Sequence, residues 1–196
     1  METLNKRHFE KLAKIINRGT GRAVQGFHDI IGESQPYWLE KNGIDANALQ
    51  LETGHYGVVE QDFTGLLNGK VLLLFTADNV QKILQKMLGD EIDEQTLNDI
   101  ESEAMRELGN IMVNACLSSI ADNLHILLES TVTCYQQHST QEIVTVIQED
   151  SHIDNILVTQ VNLMIGGVAL SGCKLLTLLN TQSNQAAADK IELFTM

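Results

Sequence analysis

The strongest constraint on this chain is that its pattern runs twice. Glu10 and Asn17, with apolar residues between them, match Glu103 and Asn110 at an offset of 93 residues. Near the end of each half, NGKVLLLFTADN (68–79) aligns with SGCKLLTLLNTQ (171–182) at an offset of 103. The extra residues of the second half fall between the two matches, in a longer strand region. A helix followed by strands and a closing helix, repeated in the same order, points to an internal duplication. No low-complexity linker parts the halves. The expectation is one domain over 1–196, made of two repeats (about 5–92 and 93–196) that share a sheet.

Within the first repeat, Leu12, Ile15, Ile16, Gly19, Ala23 and Phe27 recur at helical spacing and predict a helix from Glu10 to about Phe27. Residues 28–47 are mixed, with Trp38 and Leu39 as an apolar anchor. Leu49 to Gly65 reads as strand with a turn, and Asn68-Gly69 as the hairpin turn before a strand Val71–Phe75. Thr76 or Asp78 can cap a helix bearing Val80, Ile83, Leu84, Met87 and Leu88, and Gly89 can end it. The second repeat predicts a long helix over 94–124 and β-type segments at about 127–135, 142–148 and 155–165. A strand over Leu170–Leu179 and a last helix from about Gln182 to Leu193 complete it.

Composition bears on partners. Thirteen basic against 26 acidic side chains give a net charge of −13, which disfavours nucleic-acid phosphates and anionic membrane surfaces. Aromatic residues at 5% offer little stacking platform for bases. The longest apolar stretch, about Val161 to Leu176, is broken by Asn, Gly, Ser and Lys, so no membrane span is expected. The start, METLNKRHFEKLAKII, lacks the apolar run of a secretory signal. Cys116, Cys134 and Cys173 have no CxxC spacing and read as buried thiols of a cytoplasmic protein. The six histidines (8, 28, 55, 125, 138, 152) show no metal-ligand spacing and read as scattered surface residues. Neither Asn68-Gly69 nor Gly166-Gly167 has the Lys-Ser pair of a phosphate-binding loop, so both read as turns.

Residues 101–114, ESEAMRELGNIMVN, carry the chemistry. At about 100° per residue, Glu103, Glu107, Asn110 and Asn114 share one narrow helical stripe. Met105, Leu108, Met112, Ala115 and Cys116 lie roughly opposite. The expectation is a helix that buries one face and presents an acid-amide stripe to solvent. Its first-half equivalent is Glu10, Lys14, Asn17 and Gly21. Such a stripe is ordinarily a solvated helix side and nothing more. Against that, Asn is a poor mid-helix residue, at about 0.5 kcal/mol relative to Ala, yet it recurs at matched places.

At these residues the chain resembles the CheC/CheX/FliY phosphatases of bacterial chemotaxis. Their signature helix has Asp or Ser, then Glu four residues on, then Asn three further, in the context E-[IL]-G-N. Here it reads Glu103-x-x-x-Glu107-Leu108-Gly109-Asn110. Asn17-Arg18-Gly19-Thr20-Gly21-Arg22-Ala23 is similar to the family's companion N-x-G-x-G-x-A. Three positions depart: Lys14 occupies the acidic place of the first half, Glu103 replaces Asp or Ser, and Thr133 stands where the family often has proline.

The resemblance implies an α+β fold, in which two αβ repeats form a largely antiparallel sheet with both motif helices packed on one face. Open sheet edges would allow a homodimer. It implies a phosphatase whose partner is a phosphorylated receiver of the CheY type. Glu107 and Asn110 would be the catalytic pair, with Glu103 and Asn114 supporting. Glu10, Lys14 and Asn17 would form a second, degenerate site. Asn110 would offer donor and acceptor to the attacking water, and Glu107 would pair with the receiver's lysine, which Lys14 would instead repel. No cofactor or metal of its own is expected, because Mg²⁺ arrives on the receiver. The other reading left open is a non-catalytic module that binds a receiver or a CheD-type partner. A flagellar-switch role is less expected, since no basic or strand-rich domain follows residue 196.

Overall fold

The computed structural model describes residues 4–31, 37–40, 49, 51–89, 93–149, 155–165, 168–180 and 185–194. The first half runs α1 (Lys6–Ile31), β1 (Tyr37–Glu40), β2 (His55–Gly65), β3 (Asn68–Thr76) and α2 (Ala77–Leu88). The second runs α3 (Glu94–Leu124), β4 (Leu128–Ser130), β5 (Cys134–Ser139), α4 (Thr140–Glu149), β6 (Asn155–Ile165), β7 (Val168–Asn180) and α5 (Gln185–Leu193). The side chains of Trp38 and Leu39, and the Gly166-Gly167 turn, lie outside the described residues.

The strands form one antiparallel sheet in the order β1-β6-β7-β3-β2, whose last edge is shared by β4 and β5. Read inward from either edge, the build is the same. β1 lies beside β6 beside β7, and β5 beside β2 beside β3, with β7 and β3 meeting at the centre. Each half thus lends its short strand to the hairpin of the other half. The two halves of the chain therefore share one sheet.

Both faces of the sheet are covered, which is why the central strands are apolar without alternation. On one face Val71, Leu73 and Phe75 of β3 and Leu175 and Leu179 of β7 pack with Leu12, Ile15 and Ile16 of α1 and Met105, Leu108, Met112 and Cys116 of α3. On the other, Leu72, Leu74, Leu176 and Leu178 pack with Ile143 and Ile147 of α4. The two motif helices therefore lie together on one face. They approach closely at Gly19, where a Cβ would meet Ser119 Cβ at 2.6 Å and Ala115 O at 2.8 Å. Beside it, the Ser119 hydroxyl donates to the Ile15 carbonyl (2.9 Å).

Helix termini follow the expected chemistry. Thr76 caps α2, accepting from Asn79 N, and Gly89 ends it at φ +96°. Asp93 caps α3 by accepting from Thr96 N at 2.8 Å, and the Thr96 amide holds its carboxyl below the usual range.

Four expectations need correction. Residues 142–148 are helix, not strand. Ser139 and Glu142 form a reciprocal capping box, Ser139 N donating to Glu142 Oε2 (2.6 Å) and Glu142 N to Ser139 Oγ (3.3 Å). This nucleates α4 despite its β-branched residues. Asn68-Gly69 is not the hairpin turn but the start of β3. The chain reverses through Gly65–Leu67, and Asn68 Oδ1 accepts from Gly65 N. Gly69 is instead required by close approach, since a Cβ there would meet the Leu178 carbonyl at 2.0 Å. Cys134 is exposed, unlike buried Cys116 and Cys173. His8 is buried rather than superficial, and its Nδ1 accepts from Asn5 N.

Candidate active site

α3 is set down on the sheet at Gly109. A Cβ there would come within 2.3 Å of Val59 Cγ1 on β2, so the helix can rest this low only with glycine at that place. The glycine of E-L-G-N is thus a packing residue, and it fixes the depth of its neighbour Asn110.

Asn110 is half-buried. Its Oδ1 accepts two hydrogen bonds, from Asn114 Nδ2 at 2.7 Å and from the Thr133 hydroxyl at 2.9 Å. Those two donors use both lone pairs of the carbonyl oxygen. Behind them sits Gln61 of β2, only 3% exposed. Gln61 Nε2 donates to the Thr131 carbonyl (2.8 Å) and to Asn114 Oδ1 (3.4 Å), while its Oε1 lies 3.3 Å from the Thr133 hydroxyl. Thr133 has one hydroxyl proton, and its shorter contact is the one to Asn110. Gln61, Asn114, Asn110 and Thr133 thus stand in a ring whose last contact, Thr133 to Gln61, carries no proton while the hydroxyl serves Asn110. Among the described residues, Nδ2 of Asn110 donates to no protein atom, so the amide presents its donor end beyond the ring.

Glu107 lies one turn before Asn110. Its side chain is 65% exposed and its carboxylate is 3.7 Å from the Arg106 guanidinium. A surface pair of this kind contributes about 0–1 kcal/mol and yields readily to a better partner. Glu103 is exposed on the same stripe, while Met105, Leu108, Met112 and Cys116 are buried opposite and Ala115 is half-buried. The acid half of the stripe therefore meets solvent as its spacing predicts. The amide half does not: Asn110 and Asn114 are half-buried and bonded to each other, because β2 and the β4–β5 connection reach up beside them.

In the first half, Glu10 and Lys14 are exposed on α1 and Asn17 is half-buried. The ring of Gln61 and Thr133 belongs to the second stripe. Gln61 was not singled out by sequence reasoning. The signal was present: it is a polar residue at an inward position between Val59 and Phe63, and a buried amide needs partners.

The segment that brings Thr133 to Asn110 is held at both ends. The Tyr135 hydroxyl donates to Glu101 Oε1 (2.5 Å), tying β5 to α3, and burial together with Glu101 pushes the phenol well above its usual range. Asp62 N donates to Thr131 Oγ1 and Thr131 N to the Asp62 carbonyl. Between these ties the chain exposes Val132 (79%), and Leu127, just before β4, is likewise bare (89%).

Among the described residues no cluster of three or more His, Cys, Asp or Glu could hold a metal ion. Within the same residues no helix is long and apolar enough to cross a membrane. A cleft of about 370 Å³ near Arg18, Asn123, Lys190 and Phe194 contains none of the stripe residues. The arrangement around Asn110 offers one amide donor and, one turn away, one exposed carboxylate.

Residues 57–145, from β2 into α4 and so including Glu107, Asn110 and Thr133, match the family described as chemotaxis phosphatase CheX. The fold is shared with FliY of Thermotoga maritima (TM-score 0.72, 18% identity, 99% of this chain and 100% of that one). It is also shared with FliM in a FliM–SpeE complex of H. pylori (TM-score 0.62, 10% identity, 97% of each chain). CheX in the CheX–CheY–BeF3–Mg²⁺ complex of Borrelia burgdorferi is similar as well (TM-score 0.58, 10% identity, 85% and 96%). The resemblance to the CheC/CheX/FliY family read from the sequence therefore holds, in fold over nearly the whole chain and in family match over the stretch that carries the site.

Proposed function

With the CheC/CheX/FliY resemblance as premise, we propose that this chain is a cytoplasmic phosphatase of a phosphorylated CheY-type receiver. The observation that carries the reading is the Asn110 amide, its oxygen bound within the protein and its Nδ2 left for a partner, one turn from the exposed carboxylate of Glu107. One amide donor and an exposed carboxylate suit a substrate that brings its own pocket. A receiver does so, with its aspartyl phosphate, Mg²⁺ and lysine already in place; the neighbour solved as a CheX–CheY complex supports a partner of this kind.

The chemistry is attack of water on an acyl phosphate through a loose in-line transition state, where positioning supplies most of the acceleration. Asn110 Nδ2–H donates to the water oxygen. That uses one lone pair and leaves the other aimed at phosphorus. The amide does not titrate near neutral pH, so its orienting role is independent of pH. Glu107 releases Arg106, pairs with the receiver's lysine and sets the docking register. Lys14 at the matched place in α1 would repel that lysine, so the first-half stripe of Glu10, Lys14 and Asn17 is inactive in this reading.

A phosphate-release assay with a panel of phosphorylated receivers from the same cell tests the proposal. The chain is expected to speed release from at least one of them. Unchanged release from every receiver at saturating protein contradicts it.

The likeness to FliM, solved in complex with another protein, favours one second reading: a non-catalytic module that binds its receiver and holds it. Stable complex formation with no turnover would select that reading.

A further inference from the structure

We infer that Gln61 and Thr133 are positioning residues for Asn110: Gln61 sets the polarity of its amide through Asn114, and Thr133 pins it, so that this amide meets the receiver as a donor only. The inference rests on the phosphatase reading for its kinetic consequence, but the structural part stands on the ring of hydrogen bonds itself.

An asparagine on a helix surface is symmetric in shape: a half-turn of its amide exchanges oxygen for nitrogen. Left alone it would show a reacting water either end. Here the exchange is blocked through Asn114, and the amide is pinned by Thr133. The Thr133 hydroxyl at 2.9 Å and Asn114 Nδ2 at 2.7 Å both address the same atom. Turning the amide would set its NH₂ against the NH₂ of Asn114; the Thr133 hydroxyl, which can donate or accept, adds the bond that holds the amide still. Asn114 is held in turn, because its own oxygen faces Gln61 Nε2 at 3.4 Å. Gln61 is held by the Thr131 carbonyl at 2.8 Å, two residues before Thr133, so one buried side chain fixes both the loop and the amide. Gln61 and Thr133 are only 3% and 4% exposed, where a hydrogen bond left unmade is not replaced by water. The result is an amide whose acceptor is spent inside the protein. A water meeting it is held by a lone pair and cannot be deprotonated by it.

The test compares Thr133→Val, which keeps the shape and removes the hydroxyl, with Thr133→Ser, which keeps the hydroxyl. Circular dichroism and thermal melts establish that each variant folds. Two readouts are taken. The first is the ¹⁵N order parameter of the Asn110 side-chain amide in the protein without receiver. The second is kcat and KM for phosphate release from the phosphorylated receiver. The expected result is a fall in the order parameter and a loss of about fivefold to tenfold in kcat for Thr133→Val, as for one neutral hydrogen bond. KM should be unchanged, and Thr133→Ser should restore both readouts to within about twofold of the wild type. Equal order parameters in wild type and Thr133→Val overturn the inference, as does a loss confined to KM. A wild-type protein without phosphatase activity removes the proposed function, and the order parameters alone then decide the clamp. If Thr133→Val does not fold, Gln61→Glu replaces it; loss of its donor is expected to loosen Asn110 in the same measurement, and an unmoved order parameter overturns the inference.

Discussion

Gly109 rests on Val59: a Cβ at 109 would lie 2.3 Å from Cγ1 and 2.5 Å from Cγ2 of that strand residue. This single contact sets the height of α3 above the sheet, and with it the distance from Asn110 to Thr133. Gly109→Ala should therefore destabilise by about 1–3 kcal/mol through overpacking, lowering the melting temperature by about 2–4 °C per kcal/mol. The pair Gly109→Ala with Val59→Ala should recover part of that loss, because the second change removes the clashing methyls. Thermal melts of the two variants check this; a double variant no more stable than Gly109→Ala would show that Val59 is not what the glycine accommodates.

Asn110→Asp tests the polarity of the site. The aspartate keeps the size and can still accept from Thr133 and Asn114, but it presents an oxygen where the amide presents Nδ2–H. It would also set a negative charge toward a phosphoryl group. Phosphate release should fall at least as far as in Asn110→Ala. Activity retained by Asn110→Asp would mean that the outward donor is not used.

Glu107 is expected to act through charge. Glu107→Lys should weaken receiver binding by about tenfold or more at low salt, since a like charge then faces the receiver's lysine. The difference from wild type should shrink as salt rises. Titration calorimetry at two ionic strengths measures this; equal affinities of wild type and variant would place Glu107 outside the docking surface.

Val132, nearly bare and next to Thr133, should lie under the bound receiver. Val132→Asp is expected to raise KM and leave kcat near the wild-type value, as removal of uniform binding does. A fall in kcat at unchanged KM would argue against a docking role.

Acid should loosen α4. The Ser139 amide, with a smaller contribution from its hydroxyl, holds the Glu142 carboxyl below its usual range. A carboxyl depressed in the folded state contributes stability that is present above its unfolded value and is lost as pH falls through the folded one. Glu142→Ala should thus lower the urea midpoint at pH 7, by a gap that is narrower at pH 4. A gap of equal size at both pH values would show that the ionised carboxylate is not what caps the helix.

Much of this fold is legible in the chain because its apolar spacing is regular: Leu12, Ile15 and Ile16 mark the buried face of α1, and Met105, Leu108 and Met112 that of α3. Thr76, Gly89 and the end of α3 at Leu124 are likewise where their residue types place them. The failures have physical causes. The EIVTVI stretch has the composition of a strand, and only the Ser139–Glu142 box, a matter of helix ends and not of composition, makes it α4. Asn68-Gly69 has the letters of a tight turn, but Gly65, three positions before Asn68, carries the positive φ. At the site, spacing alone puts Glu103, Glu107, Asn110 and Asn114 on one stripe. It does not show that Thr133, 23 residues on, and Gln61, from the other half of the chain, close over the amide. That contact is made by strand register, which no local pattern encodes.

The most direct measurement is single-turnover phosphate release from a phosphorylated receiver at saturating protein, wild type against Asn110→Ala, with binding followed in parallel. The account predicts fast release by the wild type, release at the receiver's own rate with Asn110→Ala, and similar affinity for both. Equal release by the two proteins would contradict it.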